Sequence, residues 1–241
     1  MINAYVTNLG KYNEGKHLGE FLKLPATTEE VQALFSRIKV DGVMYEEVFI
    51  TDYKTEISGL NKCLGEYENL DELNYLASLL KDMDEWDIQK FEAAIAHGEE
   101  SGSIQELINL TQSLDCFEYY PDVKDYDDLG RYLIEELDYE QIPEHLTDYF
   151  DYEGYAEAYV INEGGIFMKD GGFVFRNNMD IEEIYNGRNI PEEYKVFAYP
   201  PPETSIKKAL AGYSQMIADI PKAINERTIS PQQLSTAHAD R

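Results

Sequence analysis

Carboxylates are the residues of this sequence with the clearest capacity for chemistry. The window 111–165 holds 16 Asp and Glu residues against two bases, Lys124 and Arg131. Carboxylates in such number could form a general acid–base pair, bind a cation such as Ca²⁺, or present fixed negative charge to a basic partner. An acid–base pair needs a cleft that shifts its pKa values, and an excess of solvated acids does not indicate one.

Other site chemistries have little support in the sequence. Asp122, Asp125, Asp127 and Asp128 lie close together but lack the central glycine and distal glutamate of a calcium-binding loop. The four histidines are isolated, so no zinc-binding His-x-x-x-His pair occurs. Neither a phosphate-binding Gly-x-x-x-x-Gly-Lys-Ser/Thr loop nor a Gly-x-Ser-x-Gly elbow is present. We predict no metal, no cofactor and no catalytic residues.

The acids of the window are interleaved with leucine and tyrosine, which distinguishes it from a disordered acidic tail. Residues three or four apart on a helix advance about 4.5–6 Å, a spacing comparable to the roughly 3.4 Å between phosphates along one DNA strand. Acids at 128, 135 and 138, and at 144, 148 and 151, would form such rows and could compete with DNA for a basic channel. The candidate partner-binding acids are Asp122, Asp125, Asp127, Asp128, Glu135, Glu136, Asp138, Glu140, Glu144, Asp148, Asp151 and Glu153.

The chain before the acidic window divides into a mixed part and a helical part. A β-β-α-β order is predicted first, with strands at 4–7, 20–24 and 45–53 and a helix opened by a capping box that starts at Thr27. Three helices are then predicted to begin after the capping residues Asn69, Asp84 and Ser103.

Helices and strands are both predicted from the acidic window onward. Asp125 or Asp127 should cap a helix that ends near Asp138, and Pro143 should start another that ends near Asp151. A Pro-Pro-Pro spacer at 200–202 follows, and residues from about 228 are expected to be disordered. The remaining predicted elements are strands at 157–162, 166–169 and 173–176 and a helix at 205–219.

Charge and element order together predict an α+β fold of small consecutive modules. The last 76 residues hold 10 acids and 9 bases, so the negative charge is concentrated earlier in the chain. The predicted modules are an antiparallel sheet plus helix at 1–60, an acidic helical bundle at 61–110, acidic helices plus a small sheet at 111–176, and a near-neutral, partly disordered C-terminal extension at 177–241.

Bulk composition limits the partners and the compartment. A formal charge of −27 disfavours direct binding to nucleic acid and favours binding to basic surfaces. Two cysteines without a disulfide framework are typical of a reducing cytoplasm. No signal sequence or long apolar run is recognisable, so we expect a cytoplasmic protein that does not bind membranes.

Separated motifs in the chain have counterparts in a known family. These motifs lie at Tyr5–Gly15, Tyr45–Tyr53, Leu129–Leu137, Ile142–Leu146, Tyr149–Tyr155 and Gly164–Phe167. In them the chain resembles the ArdA-type antirestriction proteins of conjugative elements and phages.

The resemblance implies an elongated, three-part protein that mimics bent B-form DNA. It further implies a homodimer joined through the third part, and inhibition of type I restriction–modification enzymes by occupation of their DNA site. The segment 129–146 matches the antirestriction motif of the family, which lies near the subunit contact and therefore serves dimerisation as well as mimicry. Residues 168–241 depart from the compact family pattern.

Three alternatives stay open at the level of sequence. One is mimicry aimed at another nucleic-acid-binding defence complex, such as a CRISPR effector. The second is an enzyme that uses buried carboxylates, and the third is an acidic structural protein without a specific partner. Neutralising single acids separates mimicry from catalysis, because a catalytic residue abolishes activity alone whereas a mimic loses affinity in small steps.

Overall fold

A three-stranded antiparallel sheet begins the chain in the computed structural model, which describes residues 1–169 and 171–201. The strand order is β2-β1-β3, and the predicted capping box forms between Thr27 and Glu30 at the start of α2. The third strand begins three residues later than predicted, because Tyr45 belongs to a turn closed by hydrogen bonds with Asp41. The elements are β1 (Ile2–Asn8), α1 (Leu9–Asn13), β2 (Gly19–Leu24), α2 (Thr28–Arg37) and β3 (Val48–Thr55).

Helices follow the first sheet, as predicted. Asn69, Asp84 and Ser103 each accept a hydrogen bond from a backbone N–H in the first turn, which satisfies a donor that the helix leaves unpaired. Their leucine and isoleucine positions at helical spacing are buried. The helices are α3 (Leu60–Cys63), α4 (Leu70–Lys81), α5 (Glu85–His97) and α6 (Ile104–Leu110).

The acidic part of the chain combines a second antiparallel sheet with helical segments. Its strand order is β4-β6-β5, and Asp125 caps the first helix as predicted. A π-helical turn, Tyr132–Glu136, continues α7, and a 3₁₀ helix covers Glu144–Tyr149. The regular elements are β4 (Phe117–Tyr120), α7 (Tyr126–Arg131), α8 (Tyr152–Glu163), β5 (Ile166–Phe167) and β6 (Phe173–Arg176).

Two secondary-structure predictions in this region are corrected. The strand predicted at 157–162 is wrong, because these residues belong to α8, which begins after the capping carboxylate of Asp151 and packs against α7. The helix predicted to end near Asp151 is a shorter 3₁₀ helix, and Asp151 caps the next helix instead. The helix predicted at 205–219 and the disorder predicted from 228 lie outside the described residues.

Strand β6 divides the buried apolar residues into two clusters. Val174 belongs to a large cluster that extends from the first sheet through α4, α5 and α6. Phe173 and Phe175 point to the opposite face and pack with Leu129 of α7, Leu133 of the π-helical turn and Ala156 of α8. Successive side chains of a strand alternate between faces, so one short strand serves both clusters. The α+β class is confirmed, and the module boundaries stay a prediction.

Residues 177–200 form a segment, here called the return strap, which runs from the end of β6 back past the helices to the first sheet. It contains a 3₁₀ turn, Glu192–Tyr194, and two buried side chains, Tyr185 and Val196. Both side chains belong to the large apolar cluster. This part of the predicted extension therefore contributes to the core.

Candidate functional site

The candidate acids lie at the surface of the third part of the chain. Asp128 is half-buried and the other eleven are exposed. Nine of them lie on or cap α7, its π-helical continuation, the 3₁₀ helix and α8, whereas Asp122, Asp138 and Glu140 lie in the connecting loops. Exposed carboxylates on folded elements retain their charge while their positions are restricted, which is what recognition of a basic partner requires.

Five of the candidates line one open cleft of about 400 Å³. Arg131 lies within it, with Nε 2.8 Å from Asp127 Oδ2 and Nη1 3.6 Å from Glu135 Oε1. Its guanidinium carbon is 4.4 Å from the ring centroid of Tyr152, and the carboxylate of Asp127 raises the pKa of Arg131. One cation therefore faces several carboxylates, and the cleft stays negative. The five acids are Asp127, Glu135, Asp148, Asp151 and Glu153.

Three candidate acids also have structural roles. Asp125 Oδ1 accepts a hydrogen bond from the Asp128 N–H at 2.9 Å, and Asp151 Oδ1 accepts one from the Gly154 N–H at 3.0 Å. Asp128 Oδ2 accepts from the Lys124 N–H at 3.2 Å. A carboxylate at a helix N-terminus stabilises the helix through these bonds and the helix dipole. Removing one of these acids would therefore change stability as well as charge.

The remaining candidates have more freedom. Among the described residues, no side-chain hydrogen bond or ion pair involves the carboxylates of Asp122, Glu136, Asp138, Glu140, Glu144, Asp148 and Glu153. A carboxylate without an internal partner keeps its full capacity to bind a cationic group of another molecule. This group therefore supplies the acids that can be neutralised with least disturbance to the fold.

The geometry differs from the regular α-helical rows assumed from the sequence. Asp128 and Glu135 are separated by the change from α-helix to π-helix, and Asp138 lies beyond it with a positive φ of 51°. Glu144 and Asp148 lie on a 3₁₀ helix, which rises about 2 Å per residue instead of 1.5 Å. Five of the acids are therefore grouped around a cleft, and the candidates are not arranged as one straight helical row.

Two pairs of tyrosines pack in the same part of the chain as the acids. Tyr120 packs on Tyr132 with ring centroids 4.6 Å apart, and Tyr139 packs on Tyr159 at 5.7 Å. Burial raises the pKa of both Tyr120 and Tyr159, so their phenols stay neutral at physiological pH. The negative charge of the surface consequently comes from carboxylates.

Arg131 lines the cleft but is not among the site residues predicted from the sequence. Its signal was present in the sequence, because Asp127, Arg131 and Glu135 are spaced four residues apart and can pair along a helix. Within the described residues, no group of three or more His, Cys, Asp or Glu side chains has the arrangement of a metal site. Asp125 and Asp128, considered above as calcium ligands, instead bind backbone N–H groups.

A comparison with protein families matches residues 4–174 to a family described as "Antirestriction protein (ArdA)". A search of curated proteins found no match. The matched region includes the first sheet, the helices and the acidic part, and it ends within β6. The return strap therefore lies beyond the region that the family describes.

Proposed function

The chain belongs to the ArdA family of antirestriction proteins, and from this premise we propose that it acts as a DNA mimic. Its acidic surface occupies the DNA-binding site of a type I restriction–modification enzyme and excludes DNA by competition. The carboxylates perform no chemical step, and the protein is an inhibitor of restriction enzymes without catalytic activity of its own. It acts in the cytoplasm, where its target meets DNA.

The observation that carries this proposal is the group of exposed carboxylates around the cleft of Arg131. Five acids and one base line that cleft, so its charge has the sign of the phosphate backbone. A DNA-binding channel holds its own counterions, and a folded polyanion that enters it releases them as DNA does. Because the acids are held on folded elements, binding costs less conformational entropy than it would for a flexible acidic tail.

A subunit contact through the third part is also proposed. Leu137, Tyr139 and Leu146 are exposed in or beside the antirestriction motif, and Tyr149 and Ile161 have 85% and 83% of their surface accessible. Exposed large apolar side chains on an otherwise charged surface are typical of protein interfaces. We assign this surface to a homodimer, in which the acids of two subunits would form one longer array.

Competition against DNA tests the proposal. Purified protein is added to the methyltransferase core of a type I enzyme bound to labelled duplex DNA, at 50 and 200 mM salt. We expect displacement at low salt that weakens steeply at high salt, because counterion release drives binding. Absence of displacement at low salt contradicts the type I target. Displacement from a CRISPR effector instead would identify the other class of target.

Charge-neutral variants locate the contact surface. Glu136, Glu140, Asp148 and Glu153 are changed together to Gln or Asn, which preserves side-chain size and removes four charges. Each lost charge should weaken binding roughly two- to fivefold, as expected for exposed ion pairs. The matched control removes four exposed acids in and around the first sheet, Glu29, Glu47, Asp52 and Glu66. Equal losses in the two sets would contradict the assignment to residues 122–153.

A further inference from the structure

The return strap is attached to the helices by side chains that bind its backbone. Asn109 is 6% exposed and makes two bonds with Tyr185: the Tyr185 N–H donates to Oδ1 at 2.9 Å, and Nδ2 donates to the Tyr185 carbonyl at 3.0 Å. Further along, Asp71 Oδ1 accepts from the N–H groups of Val196 and Phe197, each at 2.7 Å. The strap therefore has a fixed position on α4 and α6.

Aromatic packing fixes the same segment. Tyr194 stacks on Tyr75 of α4 with ring centroids 4.4 Å apart and an interplanar angle of 21°. Tyr185 is buried, and its hydroxyl donates to Glu72 Oε1 at 2.7 Å. Stacking and a hydrogen bond from a buried phenol each stabilise the strap in its position on α4.

One buried amide joins the first sheet, α4 and the strap. Asn74 is 3% exposed; its Oδ1 accepts from the Ala26 N–H at 2.7 Å, just beyond β2, and its Nδ2 donates to the Tyr194 carbonyl at 3.0 Å. At the end of the strap, the Tyr199 hydroxyl donates to the Glu46 carbonyl at 3.0 Å. Gln32 Nε2 of α2 donates to the Tyr199 carbonyl at 3.1 Å.

The start of the strap is fastened to the second sheet. The Asn177 N–H donates to the Cys116 carbonyl at 2.9 Å, and Asn177 Nδ2 donates to the Asp115 carbonyl at 2.6 Å. The Glu182 N–H then donates to Ser113 Oγ at 2.9 Å. The strap lies outside the region matched to the family, and it thus contacts the residues before β4, the helices and the residues beside the first sheet.

We infer that the return strap is a positioning element for DNA mimicry: it keeps the acids of the third part in a fixed relation to those on α4, α5 and α6. This inference rests on the proposed function. Acids held in one fixed arrangement bind a basic channel together, so each contact after the first is effectively intramolecular. Release of the strap would lower affinity while every carboxylate of the acidic surface remained in the protein.

Uncharged substitutions in the full-length chain test this role. Asn109→Ala removes both bonds to Tyr185. Tyr199→Ala, at a position that is 38% exposed, removes the hydroxyl bond to the Glu46 carbonyl just before β3 and the ring contact with Phe35 of α2. The matched controls are Asn61→Ala and Tyr12→Ala, which change exposed residues of the same types on α3 and α1. None of the four substitutions changes the net charge.

Hydrogen exchange first shows whether the strap has been released. We expect faster exchange at the Tyr185, Val196 and Phe197 amides in the strap variants, with protection retained in β1. Competition against DNA then measures affinity over a range of salt concentrations. Release should weaken binding about tenfold and give a shallower salt dependence, because fewer counterions are displaced at once.

The outcomes separate the inference from the function on which it rests. If wild-type protein displaces DNA and a released strap leaves affinity and salt dependence equal to those of the controls, the positioning role is overturned. If wild-type protein displaces no DNA, the proposed function fails instead. If Asn109→Ala unfolds the protein, Tyr199→Ala alone tests the positioning role. Tyr199 lies at the partly exposed end of the strap, so its contacts can be lost without opening the buried core.

Discussion

At the scale of single residues, Glu14 shows how two separated sequence motifs meet in the fold. The Tyr45 hydroxyl donates to Glu14 Oε1 at 2.7 Å, and Lys11 Nζ donates to Glu14 Oε2 at 3.0 Å. These hydrogen bonds, that of Tyr45 first, lower the pKa of Glu14 from 4.5 to about 2. Lys11 also lies over the Tyr45 ring, 3.9 Å from its centroid. The three residues form one cluster between α1 and the turn before β3.

Replacing Tyr45 by Phe should raise the pKa of Glu14 toward 4.5, because the Tyr45 hydroxyl no longer donates a hydrogen bond to the carboxylate. The folded pKa lies below the unfolded one, so this carboxylate stabilises the fold above pH 4.5 and loses that effect as the pH falls toward 2. Carboxyl NMR titration measures the pKa, and thermal unfolding at pH 6 and pH 3 measures the linkage. Tyr12→Phe is the control, and an unchanged Glu14 pKa in Tyr45→Phe would refute the cluster.

All of the candidate acids except Asp128 are exposed, whereas their role in partner binding stays a prediction. The sequence identified which acids belong to the surface, because charged side chains are rarely buried. It identified Asp125 as one of two candidate caps, since helix starts have a local signature. It gave no means to recognise Asp151 as a second cap, because the helix that Asp151 starts was predicted as a strand.

At the scale of elements, the crossing of α7 and α8 depends on Gly130. A Cβ atom at this position would lie 2.1 Å from the carbonyl oxygen of Tyr152, far inside van der Waals contact. Glycine in a helix normally costs about 1 kcal/mol relative to alanine, so its presence requires a compensating reason. Close approach of the two backbones is that reason, and it brings the acids of α7 beside those at the start of α8.

Gly130→Ala should therefore destabilise the protein by about 1–3 kcal/mol, the usual cost of overpacking, despite the better helix propensity of alanine. Chemical denaturation measures the change in the free energy of unfolding. The control is Ala158→Gly on the exposed side of α8, where the loss of propensity alone should cost about 1 kcal/mol. A stabilised Gly130→Ala protein would show that the two helices do not approach this closely in solution.

The same crossing explains which elements the sequence could predict. Helices α4, α5 and α6 have caps and apolar residues at helical spacing, and both are local signals. Residues 157–162 contain Tyr159, Val160 and Ile161, which favour strands by type. Packing against α7 across Gly130 overrides that preference, and no local pattern reports a contact between residues so far apart in the chain.

At the scale of the whole molecule, the formal charge of −27 opposes folding through self-repulsion. The described residues contain ion pairs such as Arg176 with Glu99 and Glu100, but acids outnumber bases 47 to 20 over the chain. The large apolar cluster and the return strap must overcome this repulsion. Ionic strength consequently affects folding and the proposed partner binding in opposite directions.

Thermal unfolding should become more difficult as sodium chloride rises from 20 to 500 mM, with a midpoint increase on the order of several degrees, because salt screens repulsion between carboxylates. Scanning calorimetry at each concentration measures the midpoint. A sucrose series of equal osmolality is the control for general solvent effects. A midpoint that falls with salt would indicate that attractive ion pairs outweigh repulsion in the folded protein.

The path of the return strap was the least predictable feature of the molecule. The sequence of residues 177–200 has neither helical nor alternating periodicity. In the structure, backbone groups of this segment bind side chains such as Asn74 and Asn109 instead of forming a regular ladder of backbone hydrogen bonds. Partners of this kind leave no signature in the strap itself. The near-neutral composition of the whole C-terminal region also gave no indication that Tyr185 and Val196 are part of the core.

Because side chains alternate between faces along strand β6, the fold is especially sensitive to a change of chain length at this strand. Inserting or deleting a single residue within Phe173–Arg176 would exchange its faces, so that phenylalanine rings would enter the space of Val174 and valine would enter theirs. Both apolar clusters would fail together, although only one position had changed. Insertions and deletions should therefore be tolerated least at β6, the strand where the family match ends. In a library of single-codon insertions, the fewest folded variants should carry their insertion within this strand.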